Sequence, residues 1–309
     1  MKTIVTLTLN PAIDGSSEAE TVRHTNKVRT SNERYDPGGG GINVARVLGE
    51  LGAEALAVYL AGGATGDVLD ALLDERGVAR RRIEIKDHTR ISHVVFERSS
   101  GREYRFVAEG PELQETEIAA CLDAISKIDC DYLVASGSLP RGTPDDFYGR
   151  VVDIAARNGA KLVLDTSGKA LKATLDHGGV HLVKPSHGEF EMLVGRELDG
   201  FDAIGEAAQE LVAKGCAEMI AVTLGHHGAL LASPEGLVHR DVPKVEVKSA
   251  VGAGDSFVAG MTFGLATGLS PEDAFLMGMA AGTAAVLTPG TDLCKKADVE
   301  RLFAELKKS

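Results

Sequence analysis

Four short apolar runs recur through the second half of the chain, at residues 132–135 (YLVA), 161–165 (KLVLD), 181–184 (HLVK) and 219–223 (MIAVT). Their apolar stretches are continuous rather than alternating, the pattern of strands buried on both faces in a parallel sheet. Amphipathic helical stretches separate them. A strand–helix–strand rhythm of this kind implies a mainly parallel sheet covered by helices on both faces. The first half begins in the same way: residues 3–9 read as a β-branched strand, and 61–67 (AGGATGD) read as strand end, glycine loop and helix start. The expected class is therefore α/β. At 309 residues, 44% of them hydrophobic and none tryptophan, the chain has an ample core built mostly from small aliphatic side chains.

Each strand runs out into small or polar residues: Ser136-Gly137-Ser138, Asp165-Thr166-Ser167, Pro185-Ser186, Leu224-Gly225. Functional groups thus collect along one edge of the sheet, where open α/β sheets bind their ligands. Asp14 lies just past the first strand, beyond Pro11, and its two acceptor oxygens suit sugar hydroxyls. The alternative for such an Asp is a turn residue. Four consecutive glycines at 38–41 run straight into a helix whose apolar face is Val44, Val47, Leu48 and Leu51, ended by Gly52. With no polar spacer they read as a loop in close approach to a ligand rather than as a linker. Asn43, in the first turn, can both donate and accept.

The stretch 251–256 (VGAGDS) opens a second such helix, with Phe257, Val258, Met261 and Leu265 at helical spacing. Its first amides lack intrahelical partners and face an anion with the helix dipole behind them. Asp255 at that mouth could take a proton from an attacking hydroxyl, help worth ~10²–10⁴ in rate. The alternative is that Asp255 is an N-cap.

Charge and motifs exclude several classes. A net charge of −12 disfavours nucleic acid or an anionic membrane as partner. No stretch of ~18 apolar residues and no signal-type leader stand out, so a soluble, cytoplasmic protein is expected. Cys121, Cys130, Cys216 and Cys294 form no CxxC pair and read as buried thiols in a reducing compartment. There is no GxxxxGK[ST], HExxH or GxSxG, and both glycine loops fail GxGxxG at its third glycine. The pair His226-His227 reads as surface. Residues 16–36, with Val22, Lys27, Val28 and Arg29, suggest one arm of a small exposed sheet. Residues 92–107 suggest a hairpin turning at Ser99-Ser100-Gly101.

GGGGINVAR at 38–46 and VGAGDSFVAGM at 251–261 resemble the two signatures of the PfkB (ribokinase-like) family of sugar kinases. TLNPAID, AGGATGD, SGSLP and VKP fall between and around them in the expected order, so the resemblance spans the whole chain. It implies one ribokinase-like kinase domain over 1–309, with a small β-sheet lid formed by about 15–36 and 88–108. The four glycines are similar to those of the family's 6-phosphofructokinase branch. The implied reaction is ATP-dependent phosphorylation of fructose 6-phosphate at its 1-hydroxyl. Fructose 1-phosphate and tagatose 6-phosphate are the alternative sugars, and a non-catalytic sugar or nucleotide sensor is the alternative class.

The resemblance also implies roles. Asp255 would be the base, and the Gly252, Ala253 and Gly254 amides the anion hole. Asp14, Gly38, Gly39, Asn43 and Ser138 would hold the sugar, and Lys27, Arg29 and Arg90 its phosphate. Lys184, Ser186, Thr223, Gly225, Gly228 and Gly254 would line ATP, with Glu189 near Mg²⁺. The family's NxxE reads Ser186-His187-Gly188-Glu189 here. Ser249, Val251, Ala285, Thr288 and Gly290 would form a K⁺ loop. A homodimer through the lid sheet is expected.

Overall fold

A computed structural model describes residues 1–308. In chain order the elements begin with β1 (Ile4–Thr8), β2 (Ala12–Ala19), β3 (Ser31–Gly38), α1 (Gly40–Leu51), β4 (Ala55–Ala61), α2 (Gly63–Glu75) and β5 (Arg80–Glu84). There follow β6 (Arg90–Glu97), β7 (Arg102–Phe106), α3 (Glu115–Ser126), β8 (Tyr132–Ser136), α4 (Phe147–Arg157), β9 (Lys161–Asp165), α5 (Gly168–His177) and β10 (Val180–Val183). The chain closes with α6 (His187–Val194), α7 (Gly200–Ala213), β11 (Ala217–Thr223), β12 (Ala229–Ser233), β13 (Gly236–Arg240), α8 (Ala253–Thr267), α9 (Pro271–Ala285) and α10 (Lys296–Leu306).

The main sheet has nine strands in the order β13-β12-β11-β10-β9-β8-β1-β4-β5. Every pairing from β11 to β5 is parallel, and the β12–β13 hairpin adds an antiparallel edge. Strand β1 shows why both faces are covered. Val5 and Leu7 pack into one core with Phe147 and Tyr148 of α4, while Ile4 packs into the other with Val44 of α1 and Val258 of α8. The period-2 alternation of side chains therefore feeds two apolar layers from one strand. The four expected strands stand at β8, β9, β10 and β11, and their C-terminal ends lie on one edge.

The second sheet has four strands in the order β3-β2-β6-β7. Its β6–β7 hairpin turns at 98–101, as expected from Ser99-Ser100-Gly101. The other arm differs. Val22, Lys27, Val28 and Arg29 are not in a strand; the chain pairs instead at 12–19 and 31–38 and crosses between them without sheet bonding. Pairing is instead set by β2, whose alternate residues are buried and which holds β3 on one side and β6 on the other. Asp14 is in β2, opposite Asp36 and Ser92, not in a turn. Of the four free cysteines, Cys216 is only half-buried, which corrects the expectation that all are buried. His226 and His227 are exposed. Among the described residues no helix is long and apolar enough to cross a membrane.

Helices α8 and α9 pack closely through glycines. A Cβ on Gly260 would lie 2.6 Å from the Met277 carbonyl oxygen and 2.7 Å from Ala281 Cβ. Replacing glycine with alanine in a helix gains ~1 kcal/mol of propensity. Forcing apart two packed helices costs ~1–3 kcal/mol. Gly260→Ala should therefore lower stability by roughly 1 kcal/mol net, read as a lower urea midpoint at unchanged slope; a raised midpoint would mean the helices separate freely.

Candidate active site

Two cavities meet at the carboxyl edge of the main sheet. One, of about 410 Å³, is lined by Asp14, Gly39, Asn43, Arg90, Ser138 and Asp255 among others. The second, of about 840 Å³, is lined by Thr223, Gly225, Gly228, Ala253 and Gly254, with apolar walls from Val242, Val245 and Met279. The start of α8 is their common wall: Asp255 faces the first cavity, and Ala253 and Gly254 face the second. Gly252 precedes the helix in a left-handed conformation (φ 72°), and no side chain caps the first turn. Asp255 sits at the third helical position and makes no cap bond, so the N-cap alternative falls away.

The four glycines are explained one by one. A Cβ on Gly38 would collide with the Asp14 carboxylate, and one on Gly40 with Ser136. Gly39 needs φ 112°, and a Cβ on Gly41 would lie 2.7 Å from the Leu7 carbonyl oxygen. The loop is pressed between β1, β2 and β8, which brings Asn43 to the cleft at the start of α1. There Asn43 Nδ2 donates to Asp255 Oδ2 at 2.9 Å.

Charge is crowded. Burial pushes the Asp255 carboxyl up, reinforced by Asp165 and by Asp14; Asn43 and Lys184 oppose this, and the result is about 7. A carboxylate titrating near neutrality has the proton affinity a general base needs. Burial works against the charge of Lys184, yet Asp165, Glu189 and Asp255 outweigh it and hold its pKa above the ordinary lysine value. Lys184 Nζ stands 3.2 Å from Asp165 Oδ1. Asp14 is likewise raised by burial, with Arg90 and Arg46 pulling the other way.

Most expected residues line one of the two cavities. Gly38 packs against Asp14 beneath the first. Lys184 lies between them, close to Gly254. Arg90 lines the first cavity while its guanidinium donates to the carbonyls of Asn10 (2.9 Å) and Ala108 (3.0 Å). Lys27 and Arg29 are exposed on the 20–30 connection and line neither cavity. Ser186 and Glu189 form a capping box at the start of α6, with Ser186 Oγ donating to Glu189 Oε2 at 2.7 Å, while Glu189 also borders the first cavity. Ser249 Oγ donates to the Gly290 carbonyl at 3.0 Å, and Thr288 Oγ1 to the Ala285 carbonyl at 2.7 Å. The five expected K⁺ residues thus gather beside α8, Ala285 at the end of α9 and the other four in two touching loops. Among the described residues no cluster of three or more His, Cys, Asp or Glu forms a metal site.

Sequence reading missed Asp165, Arg105 and His93, all on the first cavity, and Thr283 and Phe201 on the second. Asp165 carried a usable signal, since it ends a parallel strand at the binding edge. Arg105 and His93 depend on how the small sheet folds over the cleft, and no local pattern encodes that.

The sequence matches the family described as pfkB family carbohydrate kinase over residues 7–298. A relative in Mycobacterium tuberculosis, an ATP-dependent 6-phosphofructokinase isozyme 2, is 46% identical over 304 residues, covering 97% of this chain and 88% of that protein. Escherichia coli phosphofructokinase-2, solved in complex with potassium, is 40% identical, with a TM-score of 0.96 over 99% of this chain and 100% of the other. Its complex with fructose 6-phosphate superposes with a TM-score of 0.94 at 39% identity over the same shares. That enzyme has also been solved in a tetrameric inhibited form, 40% identical with a TM-score of 0.94, again over 99% of this chain and 100% of the other.

Were Asp255 to serve as a base, kcat/KM should hold above about pH 7 and fall as pH drops through that value and the carboxylate is protonated. Asp255→Asn should lower kcat by ~10²–10⁴. A flat profile from pH 5.5 to 8.5, or full turnover by the variant, would remove Asp255 from the chemistry.

Proposed function

Since the chain belongs to the pfkB family of carbohydrate kinases, we propose that it transfers the γ-phosphoryl group of ATP to the 1-hydroxyl of fructose 6-phosphate, giving fructose 1,6-bisphosphate. The observation that carries this reading is the shared wall at the start of α8. It offers a base to one cavity and uncapped helix amides to the other.

In this reading Asp14, Gly39, Asn43 and Ser138 hold the sugar in the first cavity. Asp255 removes the proton of the attacking hydroxyl. The Ala253 and Gly254 amides, with the helix dipole behind them, stabilise charge on the phosphoryl oxygens. Lys184 adds a fixed positive charge between the cavities. Arg90 and Arg105 take the sugar's own phosphate, which suits guanidinium groups facing a dianion. Lys27 and Arg29 join them when the sugar phosphate is bound. Thr223, Gly225 and Gly228 border the nucleotide, and the apolar walls of the larger cavity suit an adenine ring.

Asp165 and Glu189 present two carboxylates to one cleft, which fits Mg²⁺, an ion that takes one or two carboxylates and completes its shell with phosphates and water. Mg²⁺ bound with ATP would neutralise phosphate charge there. Transfer then depends on positioning more than on covalent chemistry. A K⁺ ion is proposed at the loops holding Ser249, Val251, Ala285, Thr288 and Gly290, whose donors are carbonyl and hydroxyl oxygens.

The small sheet supports a homodimer. Tyr35, Ile91 and Phe106 share one face of it by register and are 47–60% exposed, an unusual set of large apolar groups for a free surface. A second copy of the same sheet would cover them.

ADP release should be measured with fructose 6-phosphate, fructose 1-phosphate, tagatose 6-phosphate, ribose and adenosine, in K⁺ and in tetramethylammonium. Fructose 6-phosphate should give the highest kcat/KM, K⁺ should raise it, and Arg90→Ala should weaken the sugar phosphate far more than ATP. Preference for an unphosphorylated acceptor would overturn the phosphate site, and equal rates in the two cations would remove the K⁺ site. Sedimentation should give a dimer that Phe106→Glu shifts toward monomer; an unshifted dimer would place the interface elsewhere.

A further inference from the structure

Arg46 lies one turn beyond Asn43 on α1 and lines neither the sugar nor the nucleotide cavity. Its Nη1 donates to Asn43 Oδ1 at 3.1 Å and to the Pro37 carbonyl at 2.9 Å. Its Nη2 stands 3.8 Å from Oδ1 of Asp36, a carboxylate only 1% exposed. Asp36 is also gripped by Arg76 and accepts a hydrogen bond from Thr291 Oγ1 at 2.7 Å. On its other side Asn43 donates from Nδ2 to Asp255 at 2.9 Å.

A guanidinium has five donors and no acceptor, whereas an amide side chain has a donor end and an acceptor end that differ little in shape. Only the carbonyl end of Asn43 can face Arg46, which leaves the NH₂ end for Asp255. With Arg46 removed, the amide is free to turn over whenever Asp255 carries a proton, and its oxygen then accepts that proton's hydrogen bond and holds the acid form. We propose that Arg46 is a positioning residue for phosphoryl transfer: it fixes which end of the Asn43 amide meets Asp255, and Asp36 holds Arg46 in register for that task.

The electrostatics agree with the geometry. Asn43 is the first of the influences that favour ionised Asp255 against burial and Asp165. A turned amide would replace a donor with a repelling acceptor at that point. Arg46 is held by the Pro37 carbonyl and the Asp36 carboxylate, residues that line neither cavity. The inference rests on the kinase reading above.

The test is a double-mutant cycle on the full chain: parent, Arg46→Met, Asn43→Ala and both together, with steady-state kinetics and thermal melts for each. The readout is kcat on whichever acceptor the parent phosphorylates best. Arg46→Met should lower kcat by about tenfold to a hundredfold, part of the ~10²–10⁴ that a general base supplies. KM for ATP should stay within about twofold, because the lost contact serves the chemical step rather than nucleotide binding. In the Asn43→Ala background, adding Arg46→Met should change kcat by less than about twofold, since the residue acts through an amide that is gone. Arg46→Gln, whose own amide can offer either end to Asn43, runs the same cycle if the methionine variant does not fold, and Arg46→Lys, donor-only like arginine, should keep kcat within about threefold of the parent. Losses that multiply, or an Arg46→Met kcat equal to the parent's, would overturn the inference while leaving the kinase reading in place. A parent chain without turnover on any acceptor would overturn both.

Discussion

Three carboxylates share one buried ammonium. Asp165, Glu189 and Asp255 surround Lys184, with Asp14 across the cleft. Burial raises the proton affinity of Asp165 and Asp255, and neighbouring carboxylates add to the effect. The protein as a whole carries a net charge of −12. The uncapped amides of α8, the guanidinium of Arg90 and the side chain of Lys184 are the local positive groups that make an anion's entry tolerable. The same crowding tunes Asp255. A carboxylate alone in water would be too weak a base at neutral pH, whereas one raised to about 7 is matched to accepting a proton there.

Backbone proximity is the second constraint. The turn at 38–41 passes so near Asp14, Ser136 and Leu7 that no side chain fits on it. Glycine is costly in most contexts because it loses the most freedom on folding. Here that cost lets one loop bring β1, β2, β8 and α1 to a single point. The helices α8 and α9 use the same device at Gly260, so the wall that carries Asp255 is backed by a tightly packed pair.

The sequence made the main sheet legible because its strands are continuous apolar runs that end in small polar residues, a pattern with few other uses. The two signatures at 38–46 and 251–261 carried the cleft, since a glycine run leading directly into a helix leaves its mark in adjacent residues. The second sheet was read only in part. Its hairpin has a local turn signal, but the partners of β2 are far apart in sequence, and Val22 and Val28 offered an alternation that tertiary pairing overrode. Arg105 and His93 reach the cleft only through that pairing. Lys27 and Arg29 carry the right charge, yet they sit on a segment whose position no hydrophobic pattern fixes. Arg46 was visible within a signature, but its importance comes from what surrounds it, namely a buried carboxylate and an amide with two unlike ends.

The first turn of α8 faces both cavities, with Asp255 toward one and Ala253 and Gly254 toward the other. Two ligands that touch one short stretch of backbone cannot order it independently. Whatever free energy the first spends in fixing that turn is spared for the second, and linkage makes the gain equal in both directions. The order in which the two ligands arrive is then a matter of rates, while their mutual effect on affinity is a single number belonging to the turn itself.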